Sequence, residues 1–145
     1  MEQWEIQAFK FAQVAHKGQI DKEGKDYFIN HILPVVSILK MAIRDNESFP
    51  QQRYREMIEA GYLHDTVEDT KVSLSNIADC FGPRVMKLVE EVTHTKSQVF
   101  PNLKTLDGYI LKFADRLANL SRRKGGMNEN ELKRYMEHSV FWKSE

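Results

Sequence analysis

Cysteine occurs once, as Cys80, so the chain can form neither an internal disulfide framework nor a thiolate-dominated zinc site. A reducing cytoplasm is the expected home, and Cys80 is expected as an ordinary buried or half-buried thiol. An excess of charge is equally lacking: Lys plus Arg and Asp plus Glu each total 21, for a formal net charge of +0. Bulk charge therefore gives no support for binding long nucleic acid or an anionic membrane, although a local basic patch can still hold a small anion. No apolar run approaches the ~20 residues that cross a bilayer. The opening Met1-Glu2-Gln3-Trp4-Glu5 also lacks the charged-then-apolar layout of a secretory signal. At 145 residues the chain is expected to be one domain, 1–145, whose chemistry is built on a single core.

Glycine and proline are few, 7 and 4, and they mostly stand between stretches of helical apolar spacing. The first stretch runs over 2–17, with Trp4, Ile6, Ala8, Phe9, Ala12, Val14 and Ala15 as a buried stripe and Gly18 as its stop. Met1 and Phe11 are expected to pack in the core as well. A loop over 19–30 leads to an apolar helix over 32–43, with Pro34 near its start, where proline is best tolerated. Helical spacing resumes over 51–67, then in a short helix to Phe81 capped by Ser73, and again over 83–93 behind Gly82-Pro83. A loop over 94–102, a helix over 105–121, the break Gly125-Gly126 and a last helix over 128–142 complete the chain. No alternating strand pattern with hairpin chemistry appears, so the fold class is all-α, an irregular bundle of about seven helices.

Polar chemistry sits where these helices are most apolar. His64-Asp65-Thr66-Val67-Glu68-Asp69-Thr70 directly follows Ala60-Gly61-Tyr62-Leu63. If the helix continues, Glu68 lies one turn beyond His64 and Asp69 one turn beyond Asp65, on adjoining faces. Carboxylates that close repel one another unless a cation sits among them, and a divalent metal is the economical answer. Asp115 and Asn119, four residues apart within an otherwise core-forming helix, and His31, beside the apolar helix at 32, are further candidates. Two imidazoles and two carboxylates suit Mn(II), Fe(II), Ni(II) or Zn(II) better than Cu(I). Each residue has a plainer reading. A lone histidine beside an apolar helix is more often a core residue, Glu68-Asp69 reads as a solvated helix end, and Asp115-Arg116 reads as a surface ion pair.

These residues resemble the HD-domain phosphohydrolases, and within them the hydrolase domain of the RelA/SpoT alarmone family. The likeness is carried by Ala15-His16-Lys17-Gly18-Gln19, Gly24 through Tyr27-Phe28-Ile29-Asn30-His31, Tyr62 through Thr70, Phe81-Gly82, Leu88 through Thr93, and Lys112 through Leu120. The resemblance implies an HD-type helical bundle in which His31, His64, Asp65 and Asp115 bind a metal, manganese in characterised members. It implies that Glu68 and Asp69 handle the attacking water and proton transfer, and that Asn119 contacts the ribose. The family removes the 3′-pyrophosphate of guanosine tetra- and pentaphosphate, giving GDP or GTP and pyrophosphate. With 145 residues leaving no room for a synthetase, a stand-alone hydrolase is expected.

The chemistry is consistent from first principles, because a divalent ion brings the pKa of water toward ~7 and polarises phosphoryl oxygens. Glu68 is the first choice of general base, with Asp69 second. Phosphate binding calls for local positive charge, for which Lys17, Lys22 and Lys25 before His31, and Arg122, Arg123 and Lys124 after Asn119, are candidates. The chain departs from the family where His31 is followed by Ile32-Leu33-Pro34 rather than directly by proline, which predicts an altered start to that helix. It departs again where Asp21-Lys22 replaces an Arg-Lys pair, and in a short segment between Thr93 and Lys112. The alternatives are an HD phosphohydrolase acting on another nucleotide, such as a nucleoside monophosphate or the 2′-phosphate of NADPH, or a non-catalytic nucleotide- or metal-binding module.

Overall fold

The computed structural model describes residues 1–93 and 103–123. Among these residues seven α-helices follow one another: α1 (Gln3–Ala15), α2 (Leu33–Ile43), α3 (Gln51–Leu63), α4 (Thr66–Asp69), α5 (Leu74–Phe81), α6 (Pro83–Val92) and α7 (Leu106–Arg123). A single π-helical turn, Phe28–Ile32, leads directly into α2. Among the described residues there is no strand, only an isolated bridge between Ile20 and Asp26. No described helix is long and apolar enough to cross a membrane. The expected helix over 128–142 lies outside the described residues, as do His94, Lys124, His138 and Trp142.

α2 is the central helix, and it packs on α3 and α7. Val35, Val36, Ile38, Leu39 and Ile43 bury most of its surface, which is why its sequence is apolar almost all round. α1 lies on α3 through Ala8 and Ala12, both fully buried, whose small side chains allow close approach. Phe9 then fills the joint, edge-on to Phe28 at 5.0 Å and to Tyr62 at 6.0 Å between ring centroids. At Gly61 a Cβ would lie 2.6 Å from Leu39 Cδ1, so this glycine sets the spacing of α2 and α3. α6 bridges α3 and α7, and α5 packs on α6. The carboxylate of Glu91 on α6 accepts from the backbone N–H groups of Lys104 and Thr105, each at 2.8 Å, and so fixes the approach to α7.

Several expectations change. The stripe on α1 does not include Val14, 71% exposed, and Met1 is 73% exposed rather than packed. Val14 is two residues, about 200° of helix, beyond buried Ala12 and faces away from α3. Cys80 is exposed on the outer face of α5. The helix expected over 51–67 ends at Leu63. There His64 Nδ1 takes Gly61 O and Thr66 Oγ1 takes Leu63 O, both at 2.8 Å, so side chains occupy carbonyls that the backbone ladder would otherwise use. α4 resumes only at Thr66. The loop over 19–30 also acquires order toward its end, where the Leu33 N–H reaches Phe28 O and closes the π turn. The displaced proline, Pro34, falls in the first turn of α2.

Candidate metal centre

Three separate stretches of chain supply one cluster. His31 comes from the π turn, His64 and Asp65 from the break between α3 and α4, and Asp115 from the middle of α7. One donor atom from each lies within 4.8 Å of all the others. His31 Nε2 is 2.8 Å from Asp115 Oδ1 and 3.4 Å from Asp65 Oδ2. His64 Nε2 is 3.1 Å from Asp65 Oδ2 and 3.5 Å from Asp115 Oδ1.

Both imidazoles are buried, yet neither Nε2 is aligned on an oxygen as a hydrogen bond. The four atoms converge on a common space rather than on one another, as ligands do around a cation. The tautomer of His64 agrees. Gly61 O can only accept, so Nδ1 carries the proton and Nε2 of the neutral ring presents a lone pair to the cluster. Two nitrogens and two carboxylates, with a formal charge of −2, fit a divalent transition ion.

Without a cation the side chains must neutralise one another. Burial alone would lower His64, but the charge of Asp65 and contacts with both carboxylates outweigh it and hold the ring well above its usual 6.5. His31 is raised by the same balance, with burial opposing Asp115 and Asp65. Burial would raise both carboxyls, yet the two histidines hold Asp65 and Asp115 below the ordinary carboxylate range.

A surrounding layer orients the carboxylates. Tyr27 donates to Asp65 Oδ2 at 2.6 Å. Burial, followed by the Asp65 charge, pushes this phenol upward, so it stays protonated and remains a donor. Lys112 donates to Asp115 Oδ2 at 3.0 Å, one helical turn earlier on the same face. Asp115 is therefore buried and paired with Lys112, rather than part of a surface pair with Arg116. Sequence reasoning assigned no role to Tyr27, Lys112, His16 or Gln19. The three-residue spacing of Lys112 and Asp115 was a usable clue, whereas the Tyr27–Asp65 contact spans 38 positions and leaves no local trace.

Glu68 and Asp69 both lie on α4, immediately beyond Asp65, and both are exposed. Asp69 Oδ2 accepts from Gln19 Nε2 at 3.3 Å. Partial burial of the Asp69 carboxyl and the nearby Asp65 charge push it up, against the Gln19 hydrogen bond. Asn119 is half-buried one turn beyond Asp115 on α7. Lys17 lines a depression of about 490 Å³ with Gln19, Asp69, Lys71 and Asn76, so a second lysine joins it.

Lys22 is exposed in the loop after α1, and Lys25 faces Glu23 at 4.0 Å. Asp21, which departs from the family pattern, organises this loop: its Oδ1 accepts from the N–H groups of Glu23 and Lys25 at 2.8 and 3.0 Å. Gly24, at φ +80°, supplies the left-handed turn that this closure needs. Arg122 falls in the last turn of α7, and its side chain is outside the described ones.

Residues 8–105 match the HD domain family. The chain is 32% identical over 153 residues to guanosine-3′,5′-bis(diphosphate) 3′-pyrophosphohydrolase MESH1 of Xenopus tropicalis, covering 97% of this chain and 80% of that one. Its identity to MESH1 of Homo sapiens is also 32%, over 91% of this chain and 78% of the human protein. A guanosine-3′,5′-bis(diphosphate) 3′-pyrophosphohydrolase of Aquifex aeolicus is 36% identical, but there the match spans 80% of this chain and only 17% of that protein. A solved structure described as a metazoan ortholog of SpoT that hydrolyzes ppGpp shares the fold. Its TM-score is 0.70 at 24% identity, over 97% of this chain and 84% of that one. The chain thus belongs to the HD-domain family, alongside the MESH1 pyrophosphohydrolases, and is a metal-dependent phosphohydrolase.

Proposed function

We propose that this protein hydrolyses the 3′-diphosphate of guanosine tetra- and pentaphosphate, releasing pyrophosphate and leaving GDP or GTP, with Mn(II) as the metal and the cytoplasm as its place of action. Residues 1–145 act as one HD hydrolase domain in this reading. The observation that carries it is the convergence of His31, His64, Asp65 and Asp115 beside the acidic pair of α4. The relatives that span most of this chain are named for that reaction.

The four converging side chains would hold the ion, which supplies Lewis acidity toward phosphoryl oxygens and makes water acidic enough to attack at neutral pH. Tyr27 and Lys112 keep the two aspartates turned toward it. Glu68 orients the attacking water and takes its proton, and Asp69 is the second carboxylate of the transfer. The water oxygen bonds to the phosphorus next to the ribose, the bond to O3′ breaks, and the proton taken from the water passes to O3′, which leaves as the 3′-hydroxyl. Asn119 holds the ribose, while Lys17, Lys22 and Arg122 offset phosphate charge.

One observation favours a second reading. Asp21 is engaged within its own loop, at the place where the family pattern has an arginine. A related hydrolase acting on a nucleoside monophosphate or on the 2′-phosphate of NADPH would tolerate that change. Incubating the Mn(II)-loaded protein with a nucleotide panel separates the two. Pyrophosphate released from ppGpp is the expected result. Orthophosphate released from another nucleotide, with none released as pyrophosphate from ppGpp, would replace the first reading by the second.

A further inference from the structure

His16 follows the last residue of α1 and is only 1% exposed. Its ring packs on Tyr27 with centroids 5.4 Å apart, and Tyr27 packs in turn on His31 at 5.1 Å, so Tyr27 stands between the two imidazoles and gives His16 a fixed neighbour on one face. His16 Nδ1 stands 2.7 Å from Gln19 Oε1, and Gln19 Nε2 stands 3.3 Å from Asp69 Oδ2. A carboxylate only accepts, so the amide must turn its NH2 toward Asp69 and its oxygen toward His16. It follows that His16 Nδ1 carries a proton. Reversing the amide would set its oxygen against the carboxylate, so the order His16 to Gln19 to Asp69 has one direction.

The other nitrogen, Nε2, is buried with no hydrogen-bond partner. An unpaired buried polar atom is a cost that an apolar side chain of similar shape would avoid. What an apolar residue cannot supply is the Nδ1–H that holds Gln19.

We propose that His16 is a positioning residue: acting through the Gln19 amide, it ties down Oδ2 of Asp69 and so directs Oδ1 toward the reacting water and phosphate. This deepens the hydrolysis proposed above and rests on it for the role of Asp69. The Gln19 hydrogen bond also works against burial and the Asp65 charge, and so helps keep Asp69 ionised.

The test uses the Mn(II)-loaded protein, pyrophosphate release from ppGpp, and the variants His16→Ala, His16→Asn and Gln19→Leu, each with its metal content measured. An asparagine amide places an N–H near the position of histidine Nδ1, so His16→Asn is the conservative variant. The expected pattern is a roughly 10-fold or greater loss of kcat in His16→Ala and Gln19→Leu, with KM within about 2-fold, one metal per chain retained, and most of kcat restored by His16→Asn. In an Asp69→Asn background, His16→Ala should cost nothing further. Equal losses in His16→Asn and His16→Ala, or a full additional loss in the Asp69→Asn background, would overturn the proposal.

Nitrogen-15 NMR of the imidazoles supplies a readout that needs neither substrate nor a tolerated alanine. A proton on His16 Nδ1, together with a shift of the Gln19 side-chain amide in Asp69→Asn, supports the chain of contacts. A proton on Nε2 alone, or an unmoved Gln19 amide, contradicts it. If the wild-type protein leaves ppGpp intact, the proposed substrate fails, while the NMR result still decides whether His16 and Gln19 hold Asp69.

Discussion

At the scale of single residues, Tyr27 carries the clearest consequence. Its hydroxyl is the donor that holds Asp65 Oδ2 from outside the cluster, and groups of this kind typically set metal affinity by ~10–100-fold. Tyr27→Phe keeps the ring packed between His16 and His31 and removes only that bond. The expected outcome in a chelator-competition titration is metal affinity lower by about 10-fold or more, with a melting temperature close to wild type in the absence of metal. Unchanged affinity would mean that the Tyr27 hydroxyl does not hold Asp65 for the metal.

The histidines make a pH-dependent claim. In the metal-free protein the neighbouring carboxylates raise His31 and His64 above 6.5, so both rings hold their protons to higher pH than a free imidazole, and an incoming cation must displace them. Calorimetry in buffers of different ionisation enthalpy is expected to show proton release on metal binding at pH 7 and weaker binding as pH falls. For folding without metal, a raised histidine stabilises below its unfolded value, and that contribution is lost as pH rises through the higher folded value. The lowered aspartates, Asp65 and Asp115, stabilise above the ordinary carboxylate range, and their contribution is lost on acidification. Metal-free stability is therefore expected to peak between these ranges and to decline on the alkaline side, where the metal-bound protein should not decline in parallel.

At the scale of elements, much was legible because helix punctuation is local. Ser73 accepts from Asn76 N at 3.1 Å while Asn76 Oδ1 accepts from Ser73 N at 3.0 Å, a reciprocal cap on α5. Gly82, at φ +96°, separates α5 from α6, with Pro83 opening the latter. The break after Leu63 was not legible, since it depends on the His64 and Thr66 side chains taking backbone carbonyls. The ordering of the 19–30 loop was missed for a similar reason: Asp21 and Tyr27 act through contacts that spacing does not reveal. His31, His64, Asp65 and Asp115 were all singled out beforehand, from a motif whose members lie far apart in sequence, and the layer of Tyr27, Gln19 and His16 around them was not.

The approach to α7, which carries Asp115, depends on Glu91. Its Oε1 accepts from Thr105 Oγ1 at 2.8 Å, and Thr105 Oγ1 in turn accepts from Gly108 N at 3.0 Å, capping the helix. Glu91→Ala is expected to lower stability by about 1–2 kcal/mol in urea denaturation, the cost of a lost cap and the hydrogen bonds that brace it. Glu91→Gln should recover part of that loss, because its oxygen can still accept.

At the scale of the whole molecule, the cluster joins the π turn, the α3–α4 break and α7, three stretches distant in sequence. A ligand that binds only the folded state stabilises it by RT ln(1 + [L]/Kd), about 2.7 kcal/mol at a hundred times Kd. Adding Mn(II) is therefore expected to raise the melting temperature, and a strong chelator to return it to the metal-free value. The net charge of +0 fits this picture as an average, with carboxylates gathered at the cluster and lysines such as Lys17 and Lys71 lining the depression beside Asp69.

Every catalytic role assigned above requires one divalent cation among His31, His64, Asp65 and Asp115. Elemental analysis of the purified protein after Mn(II) loading and removal of free metal, with Asp65→Ala prepared in parallel, measures that requirement directly. One equivalent of metal per chain in the wild type, with its loss in Asp65→Ala, is the expected result; a full equivalent retained by Asp65→Ala would contradict the account.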